Sequence, residues 1–235
     1  MDLRQNTQTF AAAIERDRSI LRNVYLWMTL GLALTGVVAL YVAGNPDLLR
    51  ALVLNRMVFF GLILGEFALV FFLSARIMTM SPSAATLSFA GYSILNGITL
   101  SVVFLAYTGS SIAQAFFVAA STFAALSIYA TTTKRELAGM GQYLFAGLIG
   151  IIIASLLNMF LRSSGLDYII SFVGVFLFMG LTAYDTQAIK RMSAELSNST
   201  DEADYIRVSI MGALRLYLDF INLFLYLLRF LGRRN

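Results

Sequence analysis

Seven apolar runs, each close to the ~20 residues that cross a bilayer as helix, fill most of this chain: 23–43, 57–75, 84–105, 112–130, 143–161, 168–186 and 208–231. No other feature narrows the fold so far. Within hydrocarbon no water serves the backbone, so a run of this length must satisfy its own N–H and C=O groups as a helix. The expected fold class is therefore an all-α membrane protein, a seven-transmembrane-helix bundle. Composition agrees, with 59% hydrophobic and 13% charged residues, where soluble domains carry about 25% charge.

Short polar breaks separate the runs: Gly44-Asn45-Pro46-Asp47, Arg76 with Ser81-Pro82-Ser83, Tyr107 to Ser111, Thr131 to Gln142, and Arg162-Ser163-Ser164-Gly165. The longest polar interval, 187–207, holds Lys190, Arg191, Glu195, Asp201, Glu202 and Asp204 and is expected to be a loop. The acidic residues there lack the spacing of an EF-hand. No stretch is long enough for a separate soluble domain. Residues 1–22 are expected to be a polar cytoplasmic N-terminal tail and 23–235 the membrane domain. The first apolar run begins late and has full spanning length, so it reads as a retained helix rather than a signal peptide.

Lysine and arginine set the orientation. With the N-terminus inside, the inner segments hold Arg4, Arg16, Arg18, Arg22, Arg76, Lys134, Arg135, Lys190, Arg191 and Arg207. The outer ones hold Arg50, Arg56, Arg162, Arg229, Arg233 and Arg234. The bias favours a cytoplasmic N-terminus and a periplasmic C-terminus. The alternative is a re-entrant last helix that returns the basic C-terminus inside.

There is no cysteine and no histidine. A disulfide framework, a thiol nucleophile, a Ser-His triad and His-ligated metals are excluded. The net charge of +4 is modest. No nucleic-acid partner and no bound cofactor are expected.

Ionisable groups inside spans are costly, at least ~2.5–3.5 kcal/mol at the bilayer centre, and four stand out: Glu66, Asp185, Arg215 and Asp219. In the seventh run Gly212, Arg215, Asp219, Asn222 and Tyr226 form one helical stripe. In the sixth, Ser171, Gly174, Phe178, Thr182 and Asp185 do the same, and in the third Ser88, Tyr92, Asn96 and Thr99. Such stripes commonly serve packing and interhelical hydrogen bonds, as Gly61 and Gly65 would. Arg215 and Asp219, four apart, can also neutralise each other. Two carboxylates at one site share a proton, and can then sense pH, bind a divalent cation or activate water. For calcium, Asp185, Asp219, Asn222, Thr182 and backbone carbonyls offer oxygens. For an intramembrane aspartyl protease, Tyr184-Asp185 matches one half of the presenilin-like signature, but Leu216-Tyr217-Leu218-Asp219 lacks the glycines of the other. A retinal protein needs a lysine in its last helix, and this chain has only Lys134 and Lys190, both in polar breaks. The loops are too short for most G-protein-coupled receptors.

The segments Gly180-Leu181-Thr182-Ala183-Tyr184-Asp185-Thr186-Gln187 and Leu216-Tyr217-Leu218-Asp219-Phe220-Ile221-Asn222-Leu223-Phe224, with Leu228-Arg229-Phe230 after them, resemble the Bax inhibitor family, also called the transmembrane Bax inhibitor motif family. The likeness is greatest to bacterial inner-membrane members and covers nearly the whole chain. It implies a seven-helix fold with the C-terminal helix central, and a pH-sensitive calcium leak or ion-permeation protein. It implies that Asp185 and Asp219 are the protonatable sensor and calcium-binding pair, and that Arg76 latches the closed state. Glu66 matches a second-helix acid of the family. The chain departs at Arg215, where members carry a small or polar residue; a cation there opposes calcium. Some bacterial relatives instead modulate a membrane-bound ATP-dependent protease, for which the tail 1–22 offers a binding segment. The expected function is thus non-enzymatic, with the lipid bilayer, calcium and protons as partners, and a protease as the alternative partner.

Overall fold

The computed structural model describes residues 3–196 and 201–233, with side chains from residue 20 onwards. In order, the helices are α1 (Leu3–Ala43), α2 (Pro46–Leu54), α3 (Arg56–Arg76), α4 (Pro82–Leu100), α5 (Val103–Ala106), α6 (Gly109–Thr132), α7 (Gly141–Leu161), α8 (Ser164–Leu196) and α9 (Glu202–Leu231). Among the described residues there is no β-strand. Among the described residues, seven helical segments are long and apolar enough to cross a membrane: Ile20–Ala43, Arg56–Thr79, Pro82–Ala106, Gly109–Thr132, Ala138–Leu161, Ser164–Leu196 and Glu202–Leu231. Each contains one of the apolar runs in full.

The polar breaks work as caps. Asn45 Oδ1 accepts from the N–H groups of Asp47 and Leu48, and Pro46 takes the first helical position of α2, where its missing N–H costs nothing. Asn55 caps α3 through the N–H of Val58, Ser81 caps α4 through Ala84 and Thr108 caps α6 through Ser111. At the far end of α7, Arg162 adopts the left-handed conformation with φ 52°, and the Ser163 N–H donates to Asn158 Oδ1 at 3.0 Å.

The short helix α2 forms between the first and second runs. One expectation is corrected. The 187–207 interval is not a loop: α8 continues to Leu196 and α9 starts at Glu202, leaving only 197–200 outside the described residues. Lys190, Arg191 and Glu195 are good helix formers, so the polar stretch continues α8 beyond the apolar run. At 33 residues α8 is about 50 Å long. The tail 1–22 is helical in backbone from Leu3. Its side chains to residue 19, and with them the suggested protease-binding segment, lie outside the described residues.

Contacts divide the chain into two compact units. Unit 1 comprises Met1–Leu105 with Ile189–Tyr217, and unit 2 comprises Ala106–Ala188 with Leu218–Asn235. In unit 1, α1 lies directly on α4. A Cβ at Gly97 would stand 2.7 Å from the carbonyl oxygen of Thr35, and one at Gly31 would stand 2.6 Å from Phe89 Cζ. Small residues let these backbones approach, as is usual between membrane helices. Gly212 of α9 meets Val24 and Ile189 in the same manner.

In unit 2, α7 and α8 run antiparallel with glycine at each close crossing: Gly141 against Tyr184, Gly180 against Leu144, and Gly147 against Leu177. Phe116 and Phe123 of α6 meet Phe220 edge-on, with centroids 5.6 and 5.7 Å apart. At its end the chain returns to the start of α6, where the Arg233 N–H donates to Ser111 Oγ at 3.0 Å and the Thr108 N–H to the Arg233 carbonyl at 3.3 Å. The end of α9 thus lies beside the start of α6. Of the seven spans α9 is by far the most enclosed, with 72% of its apolar window buried against 6–33% in the others.

Candidate functional site

In unit 2 the α8–α9 seam is antiparallel. Tyr168 lies against Phe230 at 5.1 Å between ring centroids, Phe178 stacks on Tyr226 at 5.6 Å, and Gly174 leaves room for the same Tyr226 ring. From the Phe178–Tyr226 stack, four residues onward on α8 is Thr182 and four residues back on α9 is Asn222. Seven residues onward and back are Asp185 and Asp219. Seven residues make two turns, so each aspartate projects on the same helix face as its stacked aromatic, about 10 Å farther along the seam. Asp219 is buried, with 4% of its surface exposed, and Asp185 is half-buried.

Hydrogen bookkeeping decides what the turn between offers. The Thr182 hydroxyl, fully buried, spends its hydrogen on the Phe178 carbonyl at 2.7 Å. Asn222 Nδ2 donates to the Leu218 carbonyl at 2.8 Å. The Thr182 hydrogen and one of the two Asn222 amide hydrogens are thus turned back onto their own helices, and Thr182 Oγ1 and Asn222 Oδ1 keep lone pairs for a third group. Among the described residues no group of three or more acidic side chains comes together. A cation on this seam would have two carboxylates plus neutral oxygens.

Just beyond, Gln187 of α8 is held by the α6–α7 connection. Its Oε1 accepts from the Leu137 N–H at 2.7 Å and its Nε2 donates to the Arg135 carbonyl at 2.9 Å. This pin was not singled out from the sequence, because a glutamine at the end of an apolar run looks like a boundary residue.

The other expected site residues belong to unit 1. Glu66 of α3 is half-buried and accepts a 2.6 Å hydrogen bond from Thr99 Oγ1. Asn96 is a second polar neighbour of the carboxyl group, and Asn96 Oδ1 accepts from the Tyr217 hydroxyl at 3.1 Å. Tyr217 in turn lies 2.7 Å from Thr35 Oγ1, which also donates to the Ser93 carbonyl at 2.9 Å. Thr35, Tyr217, Asn96 and Thr99 are thus joined in one set of polar contacts that ends at the Glu66 carboxyl. The third-run stripe is therefore a hydrogen-bond network. Its centre, Tyr217, has no exposed surface and is wedged edge-on between the rings of Phe89 and Tyr92. Arg215 is half-buried on α9, and Arg76 is an exposed residue ending α3.

Taken together, seven spans with acidic side chains half-buried in the second and sixth and buried in the seventh define a class: a multi-pass α-helical membrane protein. The family described as "Inhibitor of apoptosis-promoting Bax1" matches residues 17–235, and the chain belongs to this Bax inhibitor family. It is 48% identical over 218 residues to the inner membrane protein YbhL of Escherichia coli K12, covering 93% of each chain. A Borreliella burgdorferi protein is 44% identical over 226 residues, 94% of this chain and 97% of the relative. A membrane protein of Streptococcus pyogenes serotype M1 is 38% identical over 215 residues, 90% and 91% of the two chains.

Proposed function

We propose that this protein is a pH-sensitive calcium leak of the inner membrane, gated by the aspartates of the sixth and seventh spans. The observation that supports the reading is the antiparallel α8–α9 seam, in which Asp185 and Asp219 each come two helical turns from the Phe178–Tyr226 stack. Two ionised carboxylates at one site repel, and one shared proton removes that repulsion. Proton loss therefore loosens this part of the seam, and a divalent cation competes with the proton for the same oxygens. Calcium is a hard cation that takes six to eight oxygens. The Thr182 Oγ1 and Asn222 Oδ1 oxygens suit it, with carbonyls or water completing the shell. Calcium here is cargo, and no catalytic residue is assigned. The N-terminus is cytoplasmic on the lysine and arginine bias, and the inner-membrane setting follows the Escherichia coli relative.

Calcium flux into proteoliposomes, measured against pH for the wild type and for Asp185→Asn and Asp219→Asn, tests the reading. Wild-type flux is expected to change with pH. Either substitution is expected to flatten that profile, because an amide cannot exchange the shared proton. Absence of flux at every pH, or a profile that neither substitution alters, rejects the proposal.

A further inference from the structure

At the end of unit 2 away from the Gln187 pin, a cavity of about 420 Å³ is lined by Tyr107, Ser155, Asn158, Asp167, Tyr226 and Arg229. It lies at helix ends. Asn158 is in the last turn of α7, Asp167 in the first turn of α8, and Arg229 in the last turn of α9. In a bilayer this is headgroup depth, where the hydrocarbon gives way to polar groups. Beside it on the same turns, Met159, Phe160, Tyr168 and Ile169 are exposed apolar side chains, and tyrosine is a residue of that boundary. A polar notch thus opens next to surface that suits acyl chains.

The notch carries both signs of charge. Arg229 Nη1 stands 3.4 Å from Asp167 Oδ1, with about a third of each side chain exposed (39% and 32%). The guanidinium also lies 5.7 Å from the centre of the Tyr226 ring. A cation–π contact of this kind uses no N–H donor of the guanidinium. A guanidinium has five N–H donors, and the ion pair employs one. The fork of the remaining donors matches phosphate oxygens. The Asp167 carboxylate is an acceptor for an ammonium group. The Tyr226 hydroxyl faces Ser155, and with the Asn158 amide they supply neutral partners for ester oxygens.

We propose that this notch binds a phosphate ester bearing a primary ammonium, supplied by the headgroup of a phosphoethanolamine phospholipid, with Arg229 taking the phosphate and Asp167 the ammonium. The site lies at the opposite end of the α8–α9 seam from Asp185 and Asp219 and does not depend on ion permeation. A choline headgroup has the same phosphate but no N–H to give Asp167, and a glycerol headgroup has no cation.

Native mass spectrometry of the full chain tests this, with ethanolamine, choline and glycerol phospholipids of identical acyl chains, and with free O-phosphoethanolamine as competitor. The wild type is expected to retain the ethanolamine lipid roughly tenfold better than the other two, the value of one charge-assisted hydrogen bond. Asp167→Asn is expected to erase that preference while still holding phospholipid, and Arg229→Gln to weaken all three. Thermal unfolding checks that each variant is folded; should Arg229→Gln fail to fold, the selectivity of Asp167→Asn decides. Equal retention of the three lipids by the wild type, or a preference surviving in Asp167→Asn, overturns the proposal. Binding of the free compound without any lipid preference overturns the membrane source.

Discussion

A single hydroxyl organises the polar interior of unit 1. Tyr217 has no exposed surface, and its oxygen joins Thr35 to Asn96 at 2.7 and 3.1 Å. Tyr217→Phe keeps the ring between Phe89 and Tyr92 but strips Asn96 Oδ1 of its donor and Thr35 of a partner. Leaving buried polar groups unsatisfied costs about 1–3 kcal/mol, so this substitution should lower the unfolding temperature in detergent despite its small change in volume. An unchanged temperature would mean the three groups do not act as a network. The sequence pointed to half of this arrangement. Glu66, Asn96 and Thr99 are conspicuous because polar residues at helical spacing are rare in apolar runs. Thr35 and Tyr217 are lone hydroxyls: Tyr217 lies off the Arg215–Asp219–Asn222 stripe, two residues and about 200° around the helix from Asp219. Periodicity detects stripes, and a partner supplied once by another helix leaves no period.

Among the elements, α8 is where sequence and structure part most. Its apolar run stops near Thr186, yet the helix goes on to Leu196. Hydropathy marks where a helix leaves lipid, whereas helix propensity and capping mark where it ends, and here the two points are about ten residues apart. Gln187 sits at the first of them and ties α8 to the α6–α7 connection through Arg135 and Leu137. Gln187→Ala removes both bonds, and exposure of that connection should rise. Trypsin cleavage at the neighbouring exposed Lys134 and Arg135 is expected to speed up roughly tenfold, the effect of about 1–2 kcal/mol on a local opening equilibrium. Gln187→Glu keeps the acceptor for Leu137 but loses the donor to Arg135, so an intermediate rate is expected. Equal cleavage of all three proteins would show that the connection is held by its packing alone.

For the whole molecule, the sequence located all seven spans because the bilayer demands length and apolarity that no other setting requires. What faces what inside the spans was less accessible, since an apolar surface toward lipid and one toward a neighbouring helix have the same composition. The span Arg56–Thr79 has 6% of its window buried and Glu202–Leu231 has 72%, with mean hydropathies of 2.3 and 1.5; the more enclosed helix is the less apolar one. Orientation is a separate matter, set by flanking cations rather than by packing, and it yields a prediction that an absence makes clean. The chain has no cysteine, so single cysteines can be introduced without background. Ser164→Cys tests the α7–α8 turn, Gly139→Cys the α6–α7 connection and Arg233→Cys the C-terminus, and all three positions are exposed. With the N-terminus inside, a membrane-impermeant maleimide should modify Ser164→Cys and Arg233→Cys in cells whose outer permeability barrier is open, and Gly139→Cys only after the inner membrane is disrupted. The reverse pattern would invert the assignment. Labelling of Ser164→Cys and Arg233→Cys from opposite sides would contradict the pairing of Arg233 with Thr108 and Ser111.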